Sequence, residues 1–525
     1  MREPSAVFVQ SGDDLITATR RDATWSAAGV DVSWLDGPIE VTADTVTRVA
    51  LRWSYPLPAD ALILGDAWER SYGDLQWRHQ QPERLLPWYF LIHDPATGRT
   101  TGLGVEVQPN AFAAWTVDTH GATLWLDLRN GGGPTNLGGR TLRAATVRLF
   151  DDAGTPWLTL EAAVATMSSR LPARPEPAPV VGANNWYYAY GENFDEKAVL
   201  TDAATIVELA DGHPIKPFSV VDDGWYPGGI ASGGPWDQGI PGVFDDLAGT
   251  AASIRALGAR PGLWFRPLLV RSSSPHARPG PHDKPGRALD PSYPEVLDLV
   301  RADLTRFKDW GFELVKHDFS TYDVFGAFGP AMGSRLTESG WQLHDPSRTT
   351  AEIVLAFYRE IRDAAQDVVL IGCNTVGHLA AGLVDVQRTG DDTSGRDWER
   401  TRKMGVNTLA FRLPQHGRFF TVDADCVPCT PQTPWELNER FLDLIARSGT
   451  ALFLSIDPSA RTERIDRALS AGIRLALDGG DAGGIEPTDW LVNTTPTEWR
   501  SGGGTIHYDW SQPWGAQEEK AQPVS

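Results

Sequence analysis

Between residue 184 and about residue 475 the chain alternates short apolar runs with amphipathic stretches, and no other feature restricts its fold so sharply. The apolar runs are NWYYAYG (185–191), PFSVVDDGW (217–225), RPGLWFRP (260–267), FELVKHDF (312–319), VVLIGCN (368–374), VDVQRTGDD (384–392), RFFTVDAD (418–425) and ALFLSID (451–457). Between them AGTAASIRALG (248–258), YPEVLDLVRADLTRFKDWG (293–311), TAEIVLAFYREIRDAA (350–365) and TPWELNERFLDLIARSG (433–449) have the apolar spacing of helices that bury one face. Parallel strands need a long crossover, usually a helix, so eight such runs over nearly 300 residues predict a (β/α)8 TIM barrel. An open doubly wound sheet is the alternative. It would carry a Gly-rich phosphate turn after its first strand, and NWYYAYGENFD contains no G-x-G-x-x-G.

The flanks read differently. Residues 1–175 hold short alternating runs such as VTRVALRW (46–53) and ATLWLDLR (122–129), punctuated by NGGGPTNLGG (130–139), and predict an all-β sandwich. The Pro-rich LPARPEPAPV (171–180) predicts a stiff linker into a catalytic barrel spanning 176–475. Residues 476–525, with Trp490, Trp499, Trp510 and a turn at Gly502–Gly504, predict a small β-rich appendage whose last ten residues fray.

Composition narrows the function. With 68 acidic against 47 basic side chains the net charge is −21, a field that repels phosphate backbones, so no nucleic-acid partner is expected. No run approaches the roughly 18 apolar residues of a membrane span. The start MREPSAVFVQSGDDL lacks a basic-then-apolar leader, and only three cysteines occur (Cys373, Cys426, Cys429). Both points suit a reducing, cytoplasmic setting. The C-x-x-C at 426–429 has no second pair, so a zinc site is not expected. Trp numbers 21 against 4 Met, a surplus that suits stacking on sugar faces as well as core packing.

In a barrel of this kind, polar residues at the C-terminal ends of strands face the active site. The second run ends in Asp222, Asp223, Gly224 and Trp225, and the third carries Trp264 and Arg266. The fourth ends in Lys316, His317 and Asp318, and the fifth in Cys373 and Asn374. The sixth ends in Arg388, Asp391 and Asp392, and the seventh in Asp423 and Asp425. So many carboxylates at one end destabilise a fold, and such convergence usually has a functional reason. Glycosidic cleavage needs one ionised carboxylate and one that delivers a proton. Lys316, two residues before Asp318, shares its face, while His317 points the other way. Arg388 stands four residues before Asp392, where its fork tunes that carboxyl or pins a hydroxyl. Asp392 is expected to have its pKa raised by burial and by Asp391.

These segments resemble a known family. FELVKHDFS is similar to the K-x-D nucleophile motif of the melibiases, the α-galactosidases of glycoside hydrolase family 36, and RTGDDT (388–393) resembles their acid/base motif. VDDGW (221–225), GLWFRP (262–267), IGCN (371–374), VDADC (422–426) and SGTALFLSID (448–457) resemble further family elements, in the family's order. The resemblance implies Asp318 as nucleophile and Asp392 as acid/base. It also implies a substrate-binding set of Asp222, Asp223, Trp264, Lys316, Cys373, Asn374, Arg388 and Asp391. The implied activity is exo-acting hydrolysis of α-galactosides, with retention through a glycosyl-aspartate and no metal. Members often self-associate, and the sequence locates no interface. The chain departs from the pattern at Asn374, where a Gly is common, at Ala424 in place of a Pro, and at Phe265 and Arg266. Arg266 is therefore expected to admit a charged or altered sugar.

Alternatives remain at this point. A one-residue shift of register makes Asp391 the acid/base. Transglycosylation, or another sugar such as N-acetylgalactosamine, glucose or arabinopyranose, uses the same pocket. A metal-dependent barrel enzyme would use Asp222, Asp223, Asp318 and Asp392 as ligands, and a non-catalytic carbohydrate-binding protein would keep the pocket without turnover. In the N-terminal region GDAWERSYGDLQW (65–77), with Trp68, Glu69, Asp74 and Trp77, either leans over the barrel mouth or makes an interdomain contact.

Overall fold

The protein is described by a computed structural model covering residues 3–172, 178–191 and 194–512. Its centre is a wholly parallel sheet. The first six staves are Val181–Asn184, Phe218–Val221, Arg260–Phe265, Leu314–His317, Val369–Gly372 and Val386–Arg388. Stave seven is split. Thr421–Asp423 pairs with stave six, while Val427–Cys429 pairs with stave eight, Leu452–Ile456. Stave eight pairs with stave one, and Ala451 donates its amide to the Val422 carbonyl (2.9 Å), which closes the barrel.

Staves covered by helices on one side and by barrel core on the other carry near-continuous apolar runs. Val180, Phe218, Val220, Leu314, Ile371, Val386, Ala451 and Phe453 pack together as the barrel interior. Leu247–Leu257, Pro294–Asp309, Thr350–Ala365 and Trp435–Ser448 are the helices read from the sequence, each within two residues of its expected ends. Thr350–Ala365 is bounded by a capping box in which Thr349 and Glu352 bond each other's backbone amides, fixing its start to the residue.

Stave one corrects the sequence reading. The aromatic run 185–191 predicts a strand, yet the strand ends at Asn184 and Trp186–Ala189 is a single helical turn. Asn184 Oδ1 accepts the Trp186 amide (2.9 Å), and this local side-chain bond turns the chain where aromatic propensity alone favours extension.

The N-terminal region forms an antiparallel six-stranded sheet and an antiparallel nine-stranded sheet. The two runs quoted above become Arg48–Ser54 and Gly121–Asp127, which are hydrogen-bonded neighbours. The all-β reading misses one helix, Pro156–Met167, entered by a Thr155 cap and a proline in its first turn. Its buried Trp157, Leu160, Ala163, Val164 and Met167 share one face, but Leu158, Ala162 and Ala165 put apolar residues on the others, which blurs the one-sided periodicity that signals a surface helix. Beyond the barrel, Ile485–Pro487, Glu498–Ser501 and Gly504–His507 form a three-stranded sheet. Trp490, just after its first strand, meets Trp77, Trp157 and Phe411, each at 5.4 Å between ring centroids, so one indole joins the N-terminal region, the barrel and the appendage. Half of the expected linker (173–177) and the expected frayed tail lie outside the described residues.

Candidate active site

The residues singled out in the sequence gather at the C-terminal end of the staves. Asp222, directly after stave two, is 2% exposed and accepts from Lys316 Nζ (2.7 Å) and Asn184 Nδ2 (2.5 Å) through one oxygen. Its other oxygen accepts the Asp223 amide (2.8 Å). Asp223 accepts from the Tyr226 hydroxyl (2.7 Å), and burial, aided by the charges of Asp222 and Asp318, pushes its pKa up to about 7. Asp318 accepts the Phe319 amide (2.7 Å) on one oxygen and Trp264 Nε1 (3.1 Å) on the other. Trp264 is therefore a donor to Asp318. It is 1% exposed, and Tyr226 lies parallel to it at 6.2 Å.

Lys316 joins the two carboxyl groups. Burial works against its charge, but the carboxylates of Asp222 first and then Asp318 raise its pKa and keep it a cation. Cys373 is fully buried, and its thiol is driven well above the ordinary value by desolvation and then by Asp318, so it stays neutral. His317 faces away from Asp318, as alternation requires, and packs edge-on to Tyr358 at 6.0 Å; burial lowers its pKa to about 4.

On the opposite side Arg388 spans two carboxylates, with Nη1 on Asp425 (2.8 Å) and Nη2 on Asp392 (2.8 Å). Asp425 also accepts the Thr393 amide (2.7 Å) and the Tyr187 hydroxyl, which makes it the anchor of this corner. The Asp392 side chain is 36% exposed against 3% for Asp222 and 12% for Asp391, so Asp392 stands nearest the mouth. Its titration corrects the sequence reading. Burial alone raises it, but the guanidinium groups of Arg388, Arg70 and Arg400 outweigh burial and hold its pKa down to about 2. Asp391 is gripped by Arg400 (2.5 Å) and Arg70 (3.2 Å).

Arg70 is the residue that sequence reasoning missed. The stretch 65–77 does lean over the barrel mouth. The Ser71 amide donates to the Thr389 carbonyl and the Asp391 amide to the Ser71 carbonyl, both at 2.8 Å, which extends stave six with a piece of the N-terminal region. Gly390 sits at the centre of this bridge, where a Cβ would come 2.7 Å from the Met404 carbonyl. Glu69 accepts from Tyr72, from Asn374 and from the Gly329 amide (3.0 Å). The adjacent Asp391–Asp392 pair, two carboxylates side by side, is the sequence signal for a further cation.

Three residues that follow staves have left-handed backbone: Phe319 (φ 60°), Asn374 (φ 52°) and Asp425 (φ 77°). That geometry favours glycine and tolerates asparagine, which accounts for the Asn at 374. Its amide is committed to Glu69, and its Oδ1 accepts the Tyr322 amide (3.1 Å). Arg266 corrects another expectation. Its Nε and Nη2 are taken by Asp323 (2.9 and 2.6 Å) and its charge lies 4.1 Å over the Phe319 ring, so it supports the turn behind Asp318 rather than standing as a free fork for a charged sugar. Among the described residues no group of three or more His, Cys, Asp or Glu is arranged to hold a metal ion, and no helix is long and apolar enough to cross a membrane.

No family model and no curated protein matches the sequence. Solved structures do match. The α-galactosidase of Thermus thermophilus in complex with p-nitrophenyl α-D-galactopyranoside aligns at TM-score 0.61 and 19% identity, over 96% of this chain and 99% of that one. The α-galactosidase of Lactobacillus brevis aligns at 0.56 and 15%, over 90% and 73%. The family 36 glycoside hydrolase α-galactosidase of Geobacillus stearothermophilus, in complex with stachyose, aligns at 0.55 and 15%, over 91% and 71%. The chain therefore has the fold of the family 36 α-galactosidases, a TIM barrel behind a β-rich N-terminal domain.

Proposed function

We infer that the protein is a retaining α-glycosidase, with terminal α-galactosides as its preferred substrates. The observation that carries this reading is the pairing of two unlike carboxylates on one barrel end. Asp318 is buried and receives two donors, while Asp392 is more exposed and ringed by cations, and the Lys316 ammonium interacts with both. The likeness of fold to α-galactosidases adds the sugar.

Asp318 attacks the anomeric carbon while the glycosidic oxygen leaves with a proton from Asp392, giving a glycosyl-aspartate. Asp392, now a carboxylate, takes a proton from water, and the hydroxide oxygen bonds the anomeric carbon as the Asp318 bond breaks. The trough of Asp222, Asp223, Lys316 and Trp264 binds the glycone. Cys373, Asn374, Arg388 and Asp391 form the wall behind it. Because Asp392 rests as a carboxylate, it is ready for the second step and must gain a proton from solvent for the first, which its place at the mouth allows.

A panel of aryl α-glycosides carrying galactose, N-acetylgalactosamine, glucose and arabinopyranose, with the first-formed anomer followed by NMR, tests the reading. Turnover of the galactoside with α-galactose formed first is expected. A β-anomer as first product, or full activity in Asp318→Gly, would overturn it.

A further inference from the structure

We propose that Arg70, carried by the N-terminal domain, is a positioning residue for Asp392, so that the catalytic corner is complete only when residues 69–71 are docked on stave six. The inference rests on the glycosidase reading above. Arg70 is 6% exposed, and its two terminal nitrogens divide between neighbouring carboxylates, Nη1 to Asp392 and Nη2 to Asp391, each at 3.2 Å. A planar guanidinium can hold two carboxylates at a fixed spacing, which an ammonium cannot. Its own place is fixed from both sides. The two backbone bonds through Ser71 set the chain, and Arg412 clamps the same stretch by donating to Asp66 (2.7 Å), to the Glu69 carbonyl (2.6 Å) and to the Thr389 carbonyl (2.8 Å). The rings of Tyr72 and Phe328 lie 5.7 and 5.8 Å from its guanidinium carbon.

Asp392 is faced by charged and titratable groups from several elements: Arg388 of stave six, Arg400 of the turn at Trp398–Thr401, Lys316 of stave four, and Tyr187 and Tyr190 after stave one. Asp391 adjoins it, and Asp425 lies behind Arg388. Arg388 and Asp425 hold one another, and Arg400 is directed to Asp391. Arg70 is the cation that touches both members of the acidic pair, and it adds to the forces keeping Asp392 ionised.

The test compares the full-length wild type with Arg70→Met and Arg70→Lys on two α-galactosides, one with a p-nitrophenolate leaving group and one with an unactivated sugar leaving group, across pH 4–8. In Arg70→Met kcat for the unactivated substrate is expected to fall roughly tenfold at each pH from 4 to 8. The activated substrate should lose at least fivefold less, and Arg70→Lys, whose ammonium cannot hold both carboxylates, should show the same split. Equal losses of Arg70→Met on the two substrates would overturn the proposal. Should Arg70→Met fail to fold, Arg70→Lys decides: a loss at least fivefold greater on the unactivated substrate supports it, and equal losses refute it. No turnover of either α-galactoside by the wild type would instead refute the glycosidase reading itself, which separates the two failures.

Discussion

Lys316 Nζ lies 2.7 Å from Asp222 Oδ2, so the ammonium of stave four reaches past stave three to the carboxylate that ends stave two. Both side chains are nearly enclosed, at 10% and 3% exposure. Removing one member of such a pair leaves an uncompensated buried charge, at a cost of about 3–5 kcal/mol. Lys316→Met is therefore expected to lower stability by that amount and abolish turnover. Lys316→Met combined with Asp222→Asn should regain most of the stability, since Asn184 still finds an acceptor at 222, and none of the activity. Urea denaturation midpoints alongside initial rates measure both, and a double variant as unstable as the single one would contradict this account.

The barrel was legible because each of its units is local: a run of a few apolar residues, a cap, a helix of one-sided periodicity. The carboxylates at the stave ends were legible for the same reason, since stave register fixes which of them face the pocket. What the sequence hid depends on distance along the chain. Arg70 meets Asp392 across 322 positions, and Asn374 meets Glu69 across 305, and no periodicity encodes either contact. The lowered pKa of Asp392 followed from that omission. With Asp391 and burial as the visible neighbours the shift points up; with Arg70 and Arg400 added to Arg388 it points down.

Trp490 packs against Trp77 of the N-terminal region, Trp157 of the missed helix and Phe411 of the barrel. Trp490→Ala is expected to cost about 3–5 kcal/mol, as for other large-to-small changes in packed cores. Because the indole is shared, the loss should also separate one unfolding transition into two in calorimetry. A single transition with a shift under a degree would show that the appendage is not coupled to the rest.

Four buried carboxyls are held above the ordinary range by desolvation: Asp202 and Asp223 at about 7, Asp303 and Asp423 at about 6. In the unfolded chain each ionises near pH 3.9. Below that pH both states hold the proton and stability is independent of these groups. As pH rises toward 7 the unfolded state releases protons that the folded state keeps, so stability falls, and the loss is complete once the folded groups ionise. The protein is thus expected to be more stable at pH 5 than at pH 8. Asp202 lies away from the pocket, bonded to the Tyr188 hydroxyl (2.5 Å), and Asn can accept the same bond. Asp202→Asn should gain roughly 2–4 kcal/mol at pH 8 and almost nothing at pH 4, as read by denaturant midpoints. An equal gain at both pH values would rule out a titration origin.

Asp392, held at about 2 by Arg388, Arg70 and Arg400 against the effect of burial, sets the last expectation. Above that value the protonated fraction of the free enzyme falls tenfold per pH unit, and kcat/KM for a substrate that needs the proton falls with it. An α-galactoside with an unactivated sugar leaving group should therefore lose about a hundredfold in kcat/KM between pH 5 and pH 7. A p-nitrophenyl galactoside, whose leaving group departs without help, should lose far less over the same interval. The ratio of the two kcat/KM values isolates the acid from every group that both substrates share, including Asp318 and Asp223. A ratio that stays constant from pH 5 to pH 7 would mean that the proton reaching the leaving oxygen does not come from Asp392.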